Sequence, residues 1–197
     1  MRSHAGMTLA ETLVALAILA AAVVVAVPAG ANLLSAARVE AGAREMATTF
    51  RALRFKSVTL HRYRGLLFER RGTGWIYWEV EDGNGNGLRT AEVRSGVDKT
   101  VSGPHLLENE IEKATPGIPP GGPFPQVPPG SEKLYETTDP VQFGSSDLVS
   151  FSPWGSASSG TLYVTDRRNG LAAVVLYGPT ARVRVWRFNS WTRRWSL

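Results

Sequence analysis

Three groups of residues have the types and spacings that chemistry needs. Glu11 is the one charged residue in the run 7–27, MTLAETLVALAILAAAVVVAV. A carboxylate in an apolar span costs about 2.5–3.5 kcal/mol at the bilayer centre and less near its edge, so it calls for a cationic partner such as a free α-amino group. Asp82-Gly83-Asn84-Gly85-Asn86-Gly87-Leu88 sets oxygen ligands at alternate positions, then a glycine and a backbone carbonyl, like the first half of a calcium loop. The bidentate glutamate of such a loop would fall on Val93, with Glu92 beside it. With Asp82 the only charged ligand, Asn84 and Asn86 give a weak calcium site at best, and a plain Gly/Asn turn is the preferred reading. The third group is a strand at 182–188. Alternation sets Arg182, Arg184, Trp186 and Phe188 on one face, and Val183, Val185 and Arg187 on the other. Guanidinium groups contact phosphate and aromatic rings stack on bases, so Arg182, Arg184, Arg187 and Trp186 are candidate DNA-binding residues. The competing reading is a solvated arginine row, or one covered by a neighbouring subunit.

Other chemistry is poorly supported. The three histidines are His4, His61 and His105, and cysteine is absent. There is no HExxH, no GxSxG, no Walker loop and no GxGxxG opening a helix, so neither an enzyme nor a cofactor is expected. Without cysteine there are no disulfides, no thiol chemistry and no Cys-based zinc sites. Net charge is +5, and 18 of the 22 basic residues are arginine. Residues 105–139 hold six acids against two lysines, a local −4, whereas residues 181–197 hold five arginines and no acid. Such a tail suits an anionic partner or a solvated face.

The elements that would position these residues begin with the N-terminus. Residues 1–6, MRSHAG, form a short leader. The apolar run after it is long enough, at 1.5 Å per residue, to span roughly 30 Å of hydrocarbon. A secretory signal cut near Ala29-Gly30-Ala31, a plain membrane anchor and a processed, retained helix compete to explain it. Glu11 favours the third, because neither a discarded signal nor a bland anchor gains from a buried carboxylate.

The stretch from Gly6 and Met7 through Thr8, Leu9 and Glu11 to Leu19 resembles the N-terminal signal of type IV pilins and type II secretion pseudopilins. Met7 stands where phenylalanine is usual, and Ala10 where isoleucine or valine is usual. The resemblance implies that a prepilin peptidase cuts after Gly6 and N-methylates Met7, and that Glu11 guides filament assembly by pairing with a neighbour's N-terminus. It also implies a single-pass protein of the inner (cytoplasmic) membrane, at 7–34, with its head on the periplasmic or extracytoplasmic side.

Pro28 cannot donate a helical N–H and is expected to bend or break the helix. Beyond it Val39, Ala43, Met46, Phe50 and Leu53 recur at spacings of four and three, the stripe of an amphipathic helix at 35–60. Residues 61–197 read as a β-rich head. Runs at 66–70 and 75–81 flank Arg71-Gly72-Thr73-Gly74 as a hairpin, and further strands are expected at 148–151, 161–165, 171–177 and 182–188. The segment 116–130, PGIPPGGPFPQVPPG, reads as a long loop. The fold class is therefore α+β: a long N-terminal helix, membrane-spanning in its first half, packed on a small antiparallel sheet or sandwich, pilin-like.

Val149-Ser150-Phe151-Ser152-Pro153-Trp154-Gly155, Gly160-Thr161-Leu162 and Gly178-Pro179-Thr180-Ala181-Arg182-Val183-Arg184 resemble strands of the GspH/FimT pseudopilin family. Trp154 departs from the family's basic or small residue, and Pro179-Thr180-Ala181 interrupts its Gly-Arg pair. This resemblance implies a minor pseudopilin, a structural subunit of a type II secretion or type IV pilus-like filament in protein secretion. Its partners would be other pseudopilins, the prepilin peptidase and the inner membrane. The alternative it implies is a DNA-binding minor pilin for uptake in natural transformation.

Overall fold

The computed structural model describes residues 9–72, 74–111 and 113–197. Helix α1 is Leu9–Leu60. It is followed by β1 Arg64–Arg71, β2 Gly74–Glu81, α2 Thr90–Ser95, β3 Lys99–His105 and α3 Leu107–Glu110. Four two-residue strands come next: β4 Thr115–Pro116, β5 Phe124–Pro125, β6 Lys133–Leu134 and β7 Val141–Gln142. The chain ends with β8 Leu148–Phe151, β9 Gly160–Thr165, β10 Leu171–Tyr177, β11 Arg182–Asn189 and β12 Arg194–Ser196. The fold is α+β, with a long N-terminal helix and antiparallel sheets. It divides into two compact units, Met1–Leu34 and Ser35–Leu197.

The first unit contains the start of α1. Its large apolar side chains are open: Leu9 is 80% exposed and Val24 71%, with Leu13, Leu16, Ile18 and Leu19 between 60% and 65%. The helix is continuous from Leu9 to Leu60, so Pro28 does not break it. Among the described residues no helix is long and apolar enough to cross a membrane. The expected span opens at Met7, outside those residues, and the side chains of Val25, Val27, Pro28, Ala29 and Asn32 within it are also outside them.

The second unit is built on the stripe read from spacing. Val39, Ala43, Met46, Phe50 and Leu53 are all at most 1% exposed. They pack with Leu66 and Phe68 of β1, Val149 and Phe151 of β8, Leu162 and Val164 of β9, and Ala172, Val174 and Leu176 of β10. Phe50 meets Phe143 and Phe151, each with ring centroids 6.0 Å apart. Full burial of such side chains stabilises by about 1.5–3 kcal/mol each, so this stripe joins helix to head. Gly42 lets the helix approach closely, because a Cβ there would lie 2.6 Å from the Ala114 Cβ.

One sheet runs β3-β2-β1-β8 and the other β12-β11-β10-β9-β4, with β7 also on β9; β5 and β6 form a separate ribbon. The expected hairpin is β1/β2, in register from Arg64↔Glu81 to Arg71↔Gly74, with Gly72 at a φ of 60° in its turn. At its open end the Arg64 guanidinium bonds Glu79 at 2.8 Å and also Glu81, while Lys56 of α1 reaches Glu79 at 2.9 Å. The strands expected at 148–151 and 171–177 have those bounds, and those expected at 161–165 and 182–188 are each one residue longer.

The segment 116–130 is not simply a loop. It contributes Pro116 to β4 and all of β5, and it buries Ile118, Phe124 and Val127 in a second cluster with Leu134, Tyr163, Leu171 and Ala173. The physical reason is the far face of the β9–β11 sheet, which is apolar and must be covered. The Trp195 indole N–H donates to the Pro125 carbonyl at 2.8 Å, and the Val127 N–H to the Tyr163 hydroxyl at 3.4 Å. Burial pushes the Tyr163 hydroxyl up to about 12, so it stays neutral at physiological pH.

Candidate functional site

Gly6 and Met7, the expected cleavage and methylation positions, lie outside the described residues. Glu11 lies in the first turn of α1 and is exposed among large apolar neighbours such as Leu13 and Val14. An acid at a helix N-terminus is favoured by the positive end of the helix dipole, which offsets part of the cost of a carboxylate in an apolar stretch.

The arginine row takes its geometry from β11, which lies between β10 and β12 in register from Ala172↔Arg187 to Tyr177↔Arg182. Val183 and Val185 pack on the main core, while Arg182 and Arg184 are exposed. Trp186 and Phe188 are not open platforms for bases. Both pack against the cluster formed by the proline-rich segment, and Phe188 meets Phe124 edge to face with centroids 5.4 Å apart. Arg187 lies on the other face, bonded to Glu40 of α1 at 3.2 Å. The structure thus keeps Arg182 and Arg184 together, packs Trp186 of the same face on the cluster, and places Arg187 on the other face.

A more exposed aromatic, Trp191 at 89%, stands in the turn between β11 and β12. The Asn189 carboxamide oxygen accepts N–H bonds from Trp191 at 2.9 Å and Thr192 at 3.0 Å and fixes that turn. Asn-Ser ahead of a tryptophan was the sequence signal for it.

The Asp82 turn is closed by its own hydrogen bonds. The Asp82 carboxylate accepts from the backbone N–H groups of Asn84 at 3.0 Å, Gly85 at 2.8 Å and Gly87 at 2.8 Å. Asp98, fully buried, accepts from Gly83 N–H and Arg89 N–H, each at 3.1 Å. Glu92, carried by α2, accepts from the side-chain amides of Asn84 at 2.9 Å and Asn86 at 3.0 Å. Asn84 and Asn86 turn their amide N–H groups to Glu92 while Asp82 is engaged by backbone, and the described residues contain no group of three or more His, Cys, Asp or Glu side chains that could hold a metal. Calorimetry on the head should therefore show at most weak calcium binding. A tight site lost in Asp82→Ala would overturn the plain-turn reading.

The chain matches no protein-family model, no curated protein and no solved structure.

Proposed function

We propose that the chain is a structural subunit of a pilin-like filament, of the minor pseudopilin type that serves protein secretion. The observation that carries this reading is the contrast along α1. Its apolar side chains before Leu34 are mostly more than half exposed, whereas the stripe after Ser35 is buried to 1% or less. Open apolar surface on that scale needs a cover, and lipid followed by neighbouring helices would supply it. Glu11 in the same stretch would set the register of docking. A prepilin peptidase, the inner membrane and other pseudopilins are the partners this implies. Mass spectrometry of the mature protein should find a chain that starts at N-methylated Met7. A mature start at Asn32, after Ala29-Gly30-Ala31, would sink the reading.

The exposure of Arg182 and Arg184 favours a second reading, a DNA-binding minor pilin for natural transformation. The head should then retard DNA with little sequence preference, and its affinity should fall steeply with salt as condensed counterions are released. Arg182→Ala with Arg184→Ala should abolish that binding and leave the fold intact. Arg187→Ala should matter less, because Arg187 is held on the opposite face by Glu40. No salt-dependent binding at low ionic strength would leave the filament reading alone.

A further inference from the structure

After α1 the chain turns at His61, with a φ of 52°, and enters β1 past Tyr63. The Tyr63 ring meets Trp154 edge to face, with centroids 5.9 Å apart and planes at 72°. Trp154 is nevertheless 80% exposed. With Pro153 and the Asp82 turn these residues wall a cleft of about 600 Å³, within the range of small-ligand sites. A large aromatic ring that stays open while its edge is braced by a second ring is pre-organised to receive a flat apolar face.

The polar groups of the cleft narrow the ligand class. Among the described residues the Tyr63 hydroxyl and the His61 ring make no hydrogen bond. Arg62 has only a long contact to Glu81, at 3.4 Å. The charges are also balanced: Glu81 lies opposite Arg62, and Asp82 is spent on three backbone N–H groups. A phosphate ligand would want a net positive lining, and a purely apolar ligand would leave Tyr63 and His61 unpaired. A pyranose ring satisfies both demands. Its C–H face is weakly positive and stacks on the negative face of an indole, and its hydroxyl rim both donates and accepts.

We propose that this cleft binds a neutral pyranose unit of a glycan, stacked on Trp154 with its hydroxyls on Tyr63, His61 and Arg62. The proposal goes beyond the filament reading and does not depend on it, because every residue of the cleft lies in the unit Ser35–Leu197. The test uses the full-length chain in a phosphocholine detergent, which has no sugar headgroup. The probes are maltohexaose, cellohexaose and N-acetylchitohexaose at millimolar concentration. The readout is the Trp154 indole N–H resonance, assigned by its loss in Trp154→Ala, with affinities from calorimetry.

At least one oligosaccharide should shift that resonance saturably. Trp154→Ala should weaken binding by about tenfold or more, the loss of roughly one aromatic stacking contact. Tyr63→Phe should weaken it less, because the bracing ring remains. Trp191→Ala, which removes a still more exposed indole outside the cleft, should leave it unchanged. The proposal is overturned if no sugar gives a saturable shift, or if Trp154→Ala leaves the affinity unchanged. It is also overturned if a proline-rich peptide shifts the resonance where no sugar does, which would make the cleft a peptide groove.

Discussion

Arg64→Ala should destabilise the head by about 3 kcal/mol, the low end of what removing one member of a buried ion pair costs. Arg64 is not a surface lysine in a screened pair. Its side chain is 12% exposed, and it lies between Glu79 and Glu81, themselves 14% and 15% exposed. Those two glutamates are two residues apart on β2 and so share one face of the sheet. Without the guanidinium, two like charges are left side by side in a poorly hydrated site. Lys56 still bonds Glu79 at 2.9 Å and Arg62 still reaches Glu81 at 3.4 Å, which is why the low end of the range applies. Both hydrophobic clusters are drawn from Ser35–Leu197, so urea unfolding of that unit is the measurement. Arg64→Met keeps the aliphatic stem and should recover little of the loss if charge is the cause. A loss below about 1 kcal/mol, the scale of an exposed pair, would show that water screens the cluster after all.

The parts of the fold legible in the sequence are those where local chemistry and tertiary need agree. β8, β9, β10 and β11 are apolar or alternating runs closed by turn residues, and α1 carries an unambiguous stripe from Val39 to Leu53. Elements that depend on a distant partner were not legible. Strand β3, KTVSGPH, is mostly exposed, contains a proline and pairs with β2 through irregular register, so no alternation marks it. Helix α2 has six residues and no side-chain cap, and Gly96 ends it.

The proline-rich segment is the clearest case. Ile118, Phe124 and Val127 have no common period because Ile118 and Val127 come from irregular backbone and Phe124 from a strand of only two residues. What marks them is the unmet need of the sheet they cover. Tyr163, Leu171, Ala173, Trp186 and Phe188 make an apolar outer face that could not be left to water. That same cover reduces the candidate nucleic-acid face to Arg182 and Arg184, because Trp186 and Phe188, its two expected aromatics, both pack on the cluster. Asp82 and Glu92 show the opposite situation. Asp82 meets the backbone of its own turn and Glu92 the side chains of Asn84 and Asn86, so both engagements are local, and only the one-residue offset from Val93 to Glu92 needed the geometry of α2.

On the proposed filament reading, Glu11→Ala should leave the subunit inserted in the membrane and processed, yet unable to join the filament. Removing the carboxylate can only ease insertion, since the helix no longer carries a charge that costs up to about 2.5–3.5 kcal/mol in hydrocarbon. A defect in assembly with normal membrane recovery would therefore separate docking from insertion. The proposed partner is the α-amino group of a neighbouring Met7, which exists only after cleavage behind Gly6. In a low-dielectric setting such a pair gains strength, and it also selects register, because an unpaired buried charge is far costlier than a misplaced leucine. Glu11→Gln, which keeps size and polarity but not charge, should fail as Glu11→Ala does. A cleavage-blocked chain should fail in the same way, and combining it with Glu11→Ala should add nothing, since each change removes one half of one contact. Co-purification of Glu11→Ala with the other filament subunits at wild-type yield would show that the carboxylate has no part in assembly.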